Sequence, residues 1–131
     1  MLDSIQLLSE ARNLGSTKTL ADVDALLATY DYPTLREQEK TRFRVEIWDK
    51  KTPINGVAPE QILTDTPAGG EVYLIYIDGN LVYLQKHDPD QIGFVAMDAN
   101  TALAKANAFV DRLVEDAIDA RVRNEVLRKL L

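Results

Sequence analysis

The chain has 131 residues, of which 46% are hydrophobic and 27% are charged, and its 21 acidic and 15 basic residues give a formal net charge of −6. This composition is typical of one folded domain, and the acidic balance disfavours direct binding to nucleic acid, because such binding depends on Lys and Arg. The lack of cysteine excludes disulfides, thiolate nucleophiles and zinc sites with Cys ligands. We therefore predict a single domain over residues 1–131 without cofactor or metal.

The N-terminal residues do not resemble a signal peptide, because they carry Asp3 and Glu10 and lack a basic stretch followed by an apolar core. No apolar run approaches the roughly 20 residues that a membrane-spanning helix requires. We therefore expect a cytoplasmic protein that has no membrane partner.

The first 40 residues are predicted to be helical. Asp3 or Ser4 can cap a first helix that ends near Gly15, where a left-handed C-terminal cap is wanted. A capping-box pattern at Thr19 starts a second helix. Pro33 interrupts this pattern, and the residues after it can add one or two further helical turns.

Residues 41–97 are predicted to form a four-stranded antiparallel meander. In the first strand, Phe43, Val45 and Ile47 alternate with Arg44, Glu46 and Trp48, which is typical of a half-buried peripheral strand with one polar face. Two apolar runs then meet at Asp78-Gly79, which favours a type I′ hairpin turn because both central residues of that turn have positive φ. A fourth strand is expected over 92–97. The intervening 49–70 segment is predicted to be loop, with one helical turn after Pro59.

The hairpin has apolar side chains on both faces. The two-residue loop can be Asp78-Gly79 or Gly79-Asn80, and both predict the same two faces. One face carries Tyr73, Ile75, Ile77, Val82 and Leu84, and the other carries Val72, Leu74, Tyr76, Leu81 and Tyr83. Both faces therefore need cover. Either the chain's own helices cover both, or the face with Tyr76 and Tyr83 binds another protein or a second copy.

The last segment, 98–131, is predicted to be helical, because Ala99 to Leu131 contains no Gly or Pro. An unbroken helix of this length would extend roughly 50 Å, whereas a compact domain of this size has a diameter of roughly 36 Å. Its last apolar residues, Val122, Val126 and Leu130, also lie nearly opposite the earlier apolar stripe. We expect either a turn near residues 119–121 or a helix end that meets another molecule.

The single histidine, His87, stands beside Asp88 and Asp90, which is the pairing that a general base and its orienting carboxylate require. An Asp-Pro-Asp turn accounts for the same residues, and we favour that interpretation. The segment also resembles the opening of a calcium loop. However, Ile92 and Ala99 occupy two ligand positions, so no metal site is predicted.

These patterns predict an α+β fold with N-terminal helices, a four-stranded antiparallel meander and a long C-terminal helix packed on the sheet. The leading hypothesis is a small, non-enzymatic protein-interaction module that forms a homodimer or binds another protein. Its predicted interaction residues are Tyr76, Leu81, Tyr83, Val122, Val126, Leu127 and Leu130. The first alternative is a ligand-binding domain or minor enzyme with a pocket near Trp48, His87, Asp88 and Asp90. The second is an acidic inhibitor of a basic protein.

Overall fold

The computed structural model describes residues 2–64, 69–93 and 95–131 and has the predicted α+β class. Its helices are α1 (Ser4–Asn13), α2 (Leu20–Leu27), α3 (Tyr32–Lys40), α4 (Pro59–Thr64) and α5 (Ala99–Leu130). Its strands are β1 (Phe43–Ile47), β2 (Tyr73–Ile77), β3 (Asn80–Gln85), β4 (His87–Asp88) and β5 (Val95–Ala96). Residues 65–68 of the predicted loop and Phe94 of the predicted fourth strand lie outside the described residues.

The chain divides into two compact units. One unit comprises Met1–Lys40 with Arg112–Leu131, and the other comprises Thr41–Asp111. The boundary after Lys40 lies where the hydrophobic pattern of the sequence changes from helical spacing to alternation. The prediction of a single domain over the whole chain stays a prediction.

The first two helices of the helical unit have the caps that the sequence predicts. The Asp3 carboxylate accepts a hydrogen bond from the N–H of Ile5 at 2.9 Å. Gly15 follows α1 with a φ of +99°, which is the left-handed conformation that ends helices. Thr19 and Asp22 form a complete capping box at the start of α2.

Helix α3 starts earlier than the sequence predicts, because Pro33 lies within its first turn instead of interrupting the helical pattern. Proline is tolerated there, since the first N–H groups of a helix have no partner within the helix. Asp31 caps this turn by accepting a hydrogen bond from the N–H of Thr34 at 3.4 Å, and it also accepts one from the Thr34 hydroxyl at 2.7 Å.

Helix α5 continues without a break, so the turn expected near residues 119–121 does not form. Its buried residues follow one another at steps of four: Ala102, Ala106, Val110, Val114, Ile118, Val122, Val126 and Leu130. A four-residue step exceeds a full helical turn by about 40°, so the buried stripe winds gradually around the helix. This winding explains the change of apolar face in the sequence without a kink.

Within the helical unit, side-chain hydrogen bonds join the N-terminal residues to the C-terminal part of α5. The Ser16 hydroxyl donates to the backbone carbonyl of Leu130 at 2.6 Å. The Tyr30 hydroxyl donates to the Glu125 carboxylate at 2.8 Å. The end of α5 is therefore held by residues of this chain.

Strand β2 lies between β1 and β3 in a three-stranded antiparallel sheet, which confirms that β1 is peripheral. The turn residues Asp78 and Gly79 have φ values of 51° and 82°, which confirms the predicted type I′ turn. The four-stranded meander was wrong, because β5 pairs with β4 in a separate two-stranded sheet. Within the described residues β5 comprises only Val95 and Ala96, and Asp98 caps α5 soon after it by accepting a hydrogen bond from the N–H of Thr101 at 2.7 Å.

A β-bulge in the hairpin changes which side chains share a face. Tyr76 pairs with Leu81, but Ile75 pairs with Tyr83, which leaves Val82 as an extra residue in β3. Every β3 side chain from residue 83 onward therefore lies on the face opposite to the predicted one. The prediction that Tyr76 and Tyr83 share a face was wrong for this reason.

The two faces of the sheet have different covers within the sheet unit. On the first, which we call the cleft face, one apolar cluster forms from Trp48, Ile54, Ile62, Val72, Leu74, Tyr76, Leu81 and Leu84. On the other, which we call the Tyr83 face, the ring of Phe109 from α5 stacks on Tyr83 with the ring centroids 4.4 Å apart. Both faces thus receive cover from this chain's own residues, while Tyr76 and Leu81 stay half-buried.

Replacement of Gly79 by alanine should lower the free energy of unfolding by about 1–2 kcal/mol, because alanine is strained at positive φ. The added methyl group meets no atom within 4 Å, so backbone strain is the whole expected effect. Urea denaturation followed by the fluorescence of Trp48, the single tryptophan, measures the change. Gly79→Asn is the control, since asparagine tolerates this conformation better, and an equal loss in both variants contradicts the explanation.

Candidate functional site

An open cleft of about 340 Å³ lies on the cleft face of the sheet. Its apolar wall includes Trp48, Ile54, Leu74, Tyr76 and Leu81, and its polar residues include Glu46, Asp49, Asn55 and Asn80. The cleft thus combines aromatic surface with hydrogen-bonding groups, which is the usual character of a recognition site.

The loop after β1 forms one wall of the cleft and is held by a dense set of hydrogen bonds. The Asp49 carboxylate accepts hydrogen bonds from the N–H groups of Lys51 and Thr52, both at 2.8 Å, and from the Thr52 hydroxyl at 2.6 Å. The Thr52 hydroxyl, followed by the two N–H groups, lowers the pKa of Asp49 to about 2. The indole N–H of Trp48 donates to the carbonyl of Thr52 at 2.9 Å, so the same loop also orients the buried tryptophan.

A second type I′ turn places Ile54 and Asn55 at the cleft. Asn55 and Gly56 have φ values of 47° and 79°. Ile54 and Val57 exchange backbone hydrogen bonds of 3.1 and 2.8 Å across this turn. This segment was predicted only as a loop, although Asn-Gly is itself the dipeptide most typical of this turn. That signal was sufficient to predict the turn, although not its position at the cleft.

Strand β1 borders the cleft, and its even-numbered residues bond to β2. The N–H of Trp48 donates to the carbonyl of Val72 at 2.8 Å, and the N–H of Asp78 donates to the carbonyl of Arg42 at 2.9 Å. The register between these two pairs is regular. Because hydrogen-bonded and non-hydrogen-bonded pairs alternate in an antiparallel ladder, residues 44 and 46 also direct their backbone groups towards β2.

The odd-numbered residues of β1, namely Phe43, Val45 and Ile47, therefore direct their N–H and carbonyl groups away from the sheet. Within residues 2–64, 69–93 and 95–131, no hydrogen bond to another segment reaches these outward groups. The strand contains no proline, lysine or bulge, which are common features that prevent an edge from pairing. This edge is therefore a template for a further strand.

The side chains of β1 on the cleft face are charged and solvent-accessible. Arg44 forms an ion pair with Glu46, two residues along the same strand, and the side chains are 57% and 40% exposed. The Arg44 guanidinium also lies 4.1 Å from the centre of the Tyr76 ring. The accessible edge thus carries one positive and one negative charge side by side.

The predicted site around His87 does not assemble with Trp48. His87 pairs with Ala96 across the two-stranded sheet and does not line the cleft. Asp88 accepts a hydrogen bond from the N–H of Asp90, and this bond, followed by the nearby Lys105 ammonium at 3.0 Å, lowers the pKa of Asp88. These contacts are those of a turn and an ion pair. The described residues contain no group of three His, Asp or Glu side chains that could hold a metal.

Most of the predicted interaction residues are covered by the chain itself. Val122, Val126 and Leu130 are at most 1% exposed, and the ring of Tyr83 stacks with those of Tyr73 and Phe109. Leu127 lies in a shallow groove with Leu14, while Tyr76 and Leu81 line the cleft. Arg44, Glu46 and Asp49 were not predicted as site residues from the sequence. Arg44 and Glu46 could have been found, because they alternate with apolar residues on a strand predicted to be peripheral.

No family model matches this chain, and neither the curated proteins nor the solved structures contain a match to it. The described helices include none that combines the length and the apolar character needed to cross a membrane. The cleft and the edge of β1 are therefore the features from which a function can be inferred.

Replacement of Thr52 by valine should raise the pKa of Asp49 from about 2 towards its ordinary value of 3.8, because the largest cause of the shift is removed. A ¹³C NMR titration of the carboxylate measures this change, and Thr64→Val is the matched control. Since the folded-state pKa is lowered, the stabilisation from Asp49 is present above pH 3.8 and is lost as the pH falls through about 2. An unchanged pKa in Thr52→Val contradicts the assigned cause.

Proposed function

We propose that this chain is a small, non-enzymatic protein-interaction module that binds an extended polypeptide segment along strand β1. The observation that carries the proposal is the row of outward backbone groups at Phe43, Val45 and Ile47 beside the open cleft. Main-chain hydrogen bonds supply affinity when a peptide adds a strand to a sheet edge, and neighbouring pockets supply specificity.

The cleft supports this proposal because it adjoins the end of β1. Glu46 and Ile47 belong both to the strand and to the cleft lining. Since successive side chains of a bound strand alternate between the two faces, every second one would project on the face that carries the cleft. The hydrogen-bonded loop around Asp49 keeps this wall in place before binding, which reduces the ordering cost of recognition.

A selection of random peptides displayed on phage, with the chain immobilised sparsely, tests this function. The selected peptides should bind the wild-type chain but not Val45→Pro, because proline removes an outward N–H that β2 does not use. Val45→Thr, which keeps the N–H group at the same position of β1, is the matched control and should keep the binding. The fluorescence of Trp48 during urea unfolding verifies that both variants fold. Peptides that bind Val45→Pro as well as the wild type contradict the proposal.

A measurement on the wild-type chain avoids any dependence on the proline variant. Hydrogen exchange by NMR should show that a selected peptide protects the amides of Phe43, Val45 and Ile47, since these are the ones that gain a partner. The amides of Arg44 and Glu46 should change little, because they already donate to β2. Protection that is confined to other segments rejects β1 as the binding edge.

A small-molecule ligand in the cleft is the second candidate function, and the position of Trp48 in the cleft wall favours it over a site at His87. Such a ligand should raise the melting temperature of the chain and change the fluorescence of Trp48. Tyr76→Ala should weaken its binding about tenfold or more, because aromatic contacts dominate such sites. Tyr32→Ala on α3 is the matched control. A thermal-shift screen of metabolites supplies the ligands, and hits that Tyr76→Ala does not weaken contradict this candidate.

A further inference from the structure

We infer that the segment that pairs with β1 is β1 of a second copy, so that two chains form a symmetric dimer through one continuous six-stranded sheet. The two strands would run antiparallel about a two-fold axis at Val45. This inference rests on the proposed function, since it names the partner of the same edge. Three properties of the strand support it: the direction of its backbone groups, its charges and its apolar residues.

The backbone groups of β1 match themselves in this register. Val45 would lie opposite Val45 of the second copy, and Phe43 opposite Ile47. All of these residues direct their N–H and carbonyl groups outward, so each opposing pair can exchange two hydrogen bonds. If one strand moved by a single residue relative to the other, outward backbone groups would face inward ones, so that register is excluded.

The charges of β1 are also self-complementary in this register. Arg44 of each copy would lie opposite Glu46 of the other. These are non-hydrogen-bonded pairs, in which the Cα atoms are only about 4.5 Å apart and the side chains are close. Arg44 and Glu46 already form an ion pair within one chain, so the dimer would hold a cluster in which every charge adjoins opposite charges.

When one strand moves by two residues relative to the other, the outward backbone groups still form hydrogen bonds, but like charges then lie opposite each other. Pairing centred on residue 44 sets Arg44 against Arg44, and pairing centred on residue 46 sets Glu46 against Glu46. Like charges directly opposite one another destabilise a sheet. The register centred on Val45 is thus the one that pairs both charges favourably.

On the Tyr83 face, the same register would bring apolar side chains together. Phe43, Val45 and Ile47 are half-buried in the single chain, so each retains accessible apolar surface. Aromatic and β-branched residues are favourable cross-strand neighbours. The paired strands would therefore bury apolar surface on one face and neutralise charge on the other.

Charge exchange tests the inference. Light scattering and sedimentation should show a concentration-dependent dimer for the wild-type chain. Arg44→Glu or Glu46→Arg alone should weaken self-association about tenfold or more, because each change opposes like charges at two symmetric positions. The double variant Arg44→Glu/Glu46→Arg should restore the dimer. An equimolar mixture of the two single variants should form a heterodimer, because all opposing charges are then of opposite sign.

Cross-linking tests the register. The chain has no cysteine, so an introduced one reports without background. Val45→Cys should form a disulfide-linked dimer under mild oxidation, because residue 45 opposes itself at a Cα separation of about 5.5 Å, which suits a disulfide. Phe43→Cys and Ile47→Cys should each fail to link alone but should link when mixed. Circular dichroism verifies the fold of every variant.

A wild-type chain that stays monomeric at millimolar concentration overturns the inference, and so does a dimer that neither single charge reversal weakens. The peptide selection separates this failure from that of the proposed function. A monomer that still binds selected peptides along β1 rejects only self-pairing. If the chain is monomeric and the selected peptides bind Val45→Pro as well as the wild type, both proposals are rejected.

Discussion

The β-bulge at Val82 is the constraint on which the arrangement of the sheet depends. One extra residue in β3 turns Tyr83 towards Ile75 and Phe109, and it turns Leu84 towards the apolar cluster around Trp48. With regular pairing, these two side chains would exchange faces. The bulge therefore places Tyr83 on the face where it stacks with Phe109, and it places Leu84 on the face that carries the cleft.

The cleft and the edge of β1 form one surface because the chain passes directly from the strand into the loop that walls the cleft. The carboxylate of Asp49 organises that loop through bonds to Lys51 and Thr52, and Trp48 is bonded to the same loop. Recognition groups on such a support need little reordering when they bind. The outward backbone groups of β1 supply general affinity, and the cleft and the paired charges supply selectivity.

Local features were predictable because each depends on a few neighbouring residues. The cap at Asp3, the capping box at Thr19 and the hairpin turn at Asp78-Gly79 all appear as the sequence predicts. The pairing of the fourth strand was not predictable, because the sequence does not show that β5 pairs with the short strand β4 in a separate sheet. The cleft was anticipated only through Trp48, since its other walls come from separate segments.

By itself, the sequence determined the class of the fold, the order of its main elements, the hairpin turn and the peripheral position of β1, because periodicity and turn chemistry are local. Only the tertiary structure decided which side chains share a face, since Val82 has no local mark of a bulge. It also decided that Val122, Val126 and Leu130 are covered, because burial depends on packing against residues far away in the chain. The outward direction of Val45 likewise follows from pairing with β2, and alternation alone does not specify it.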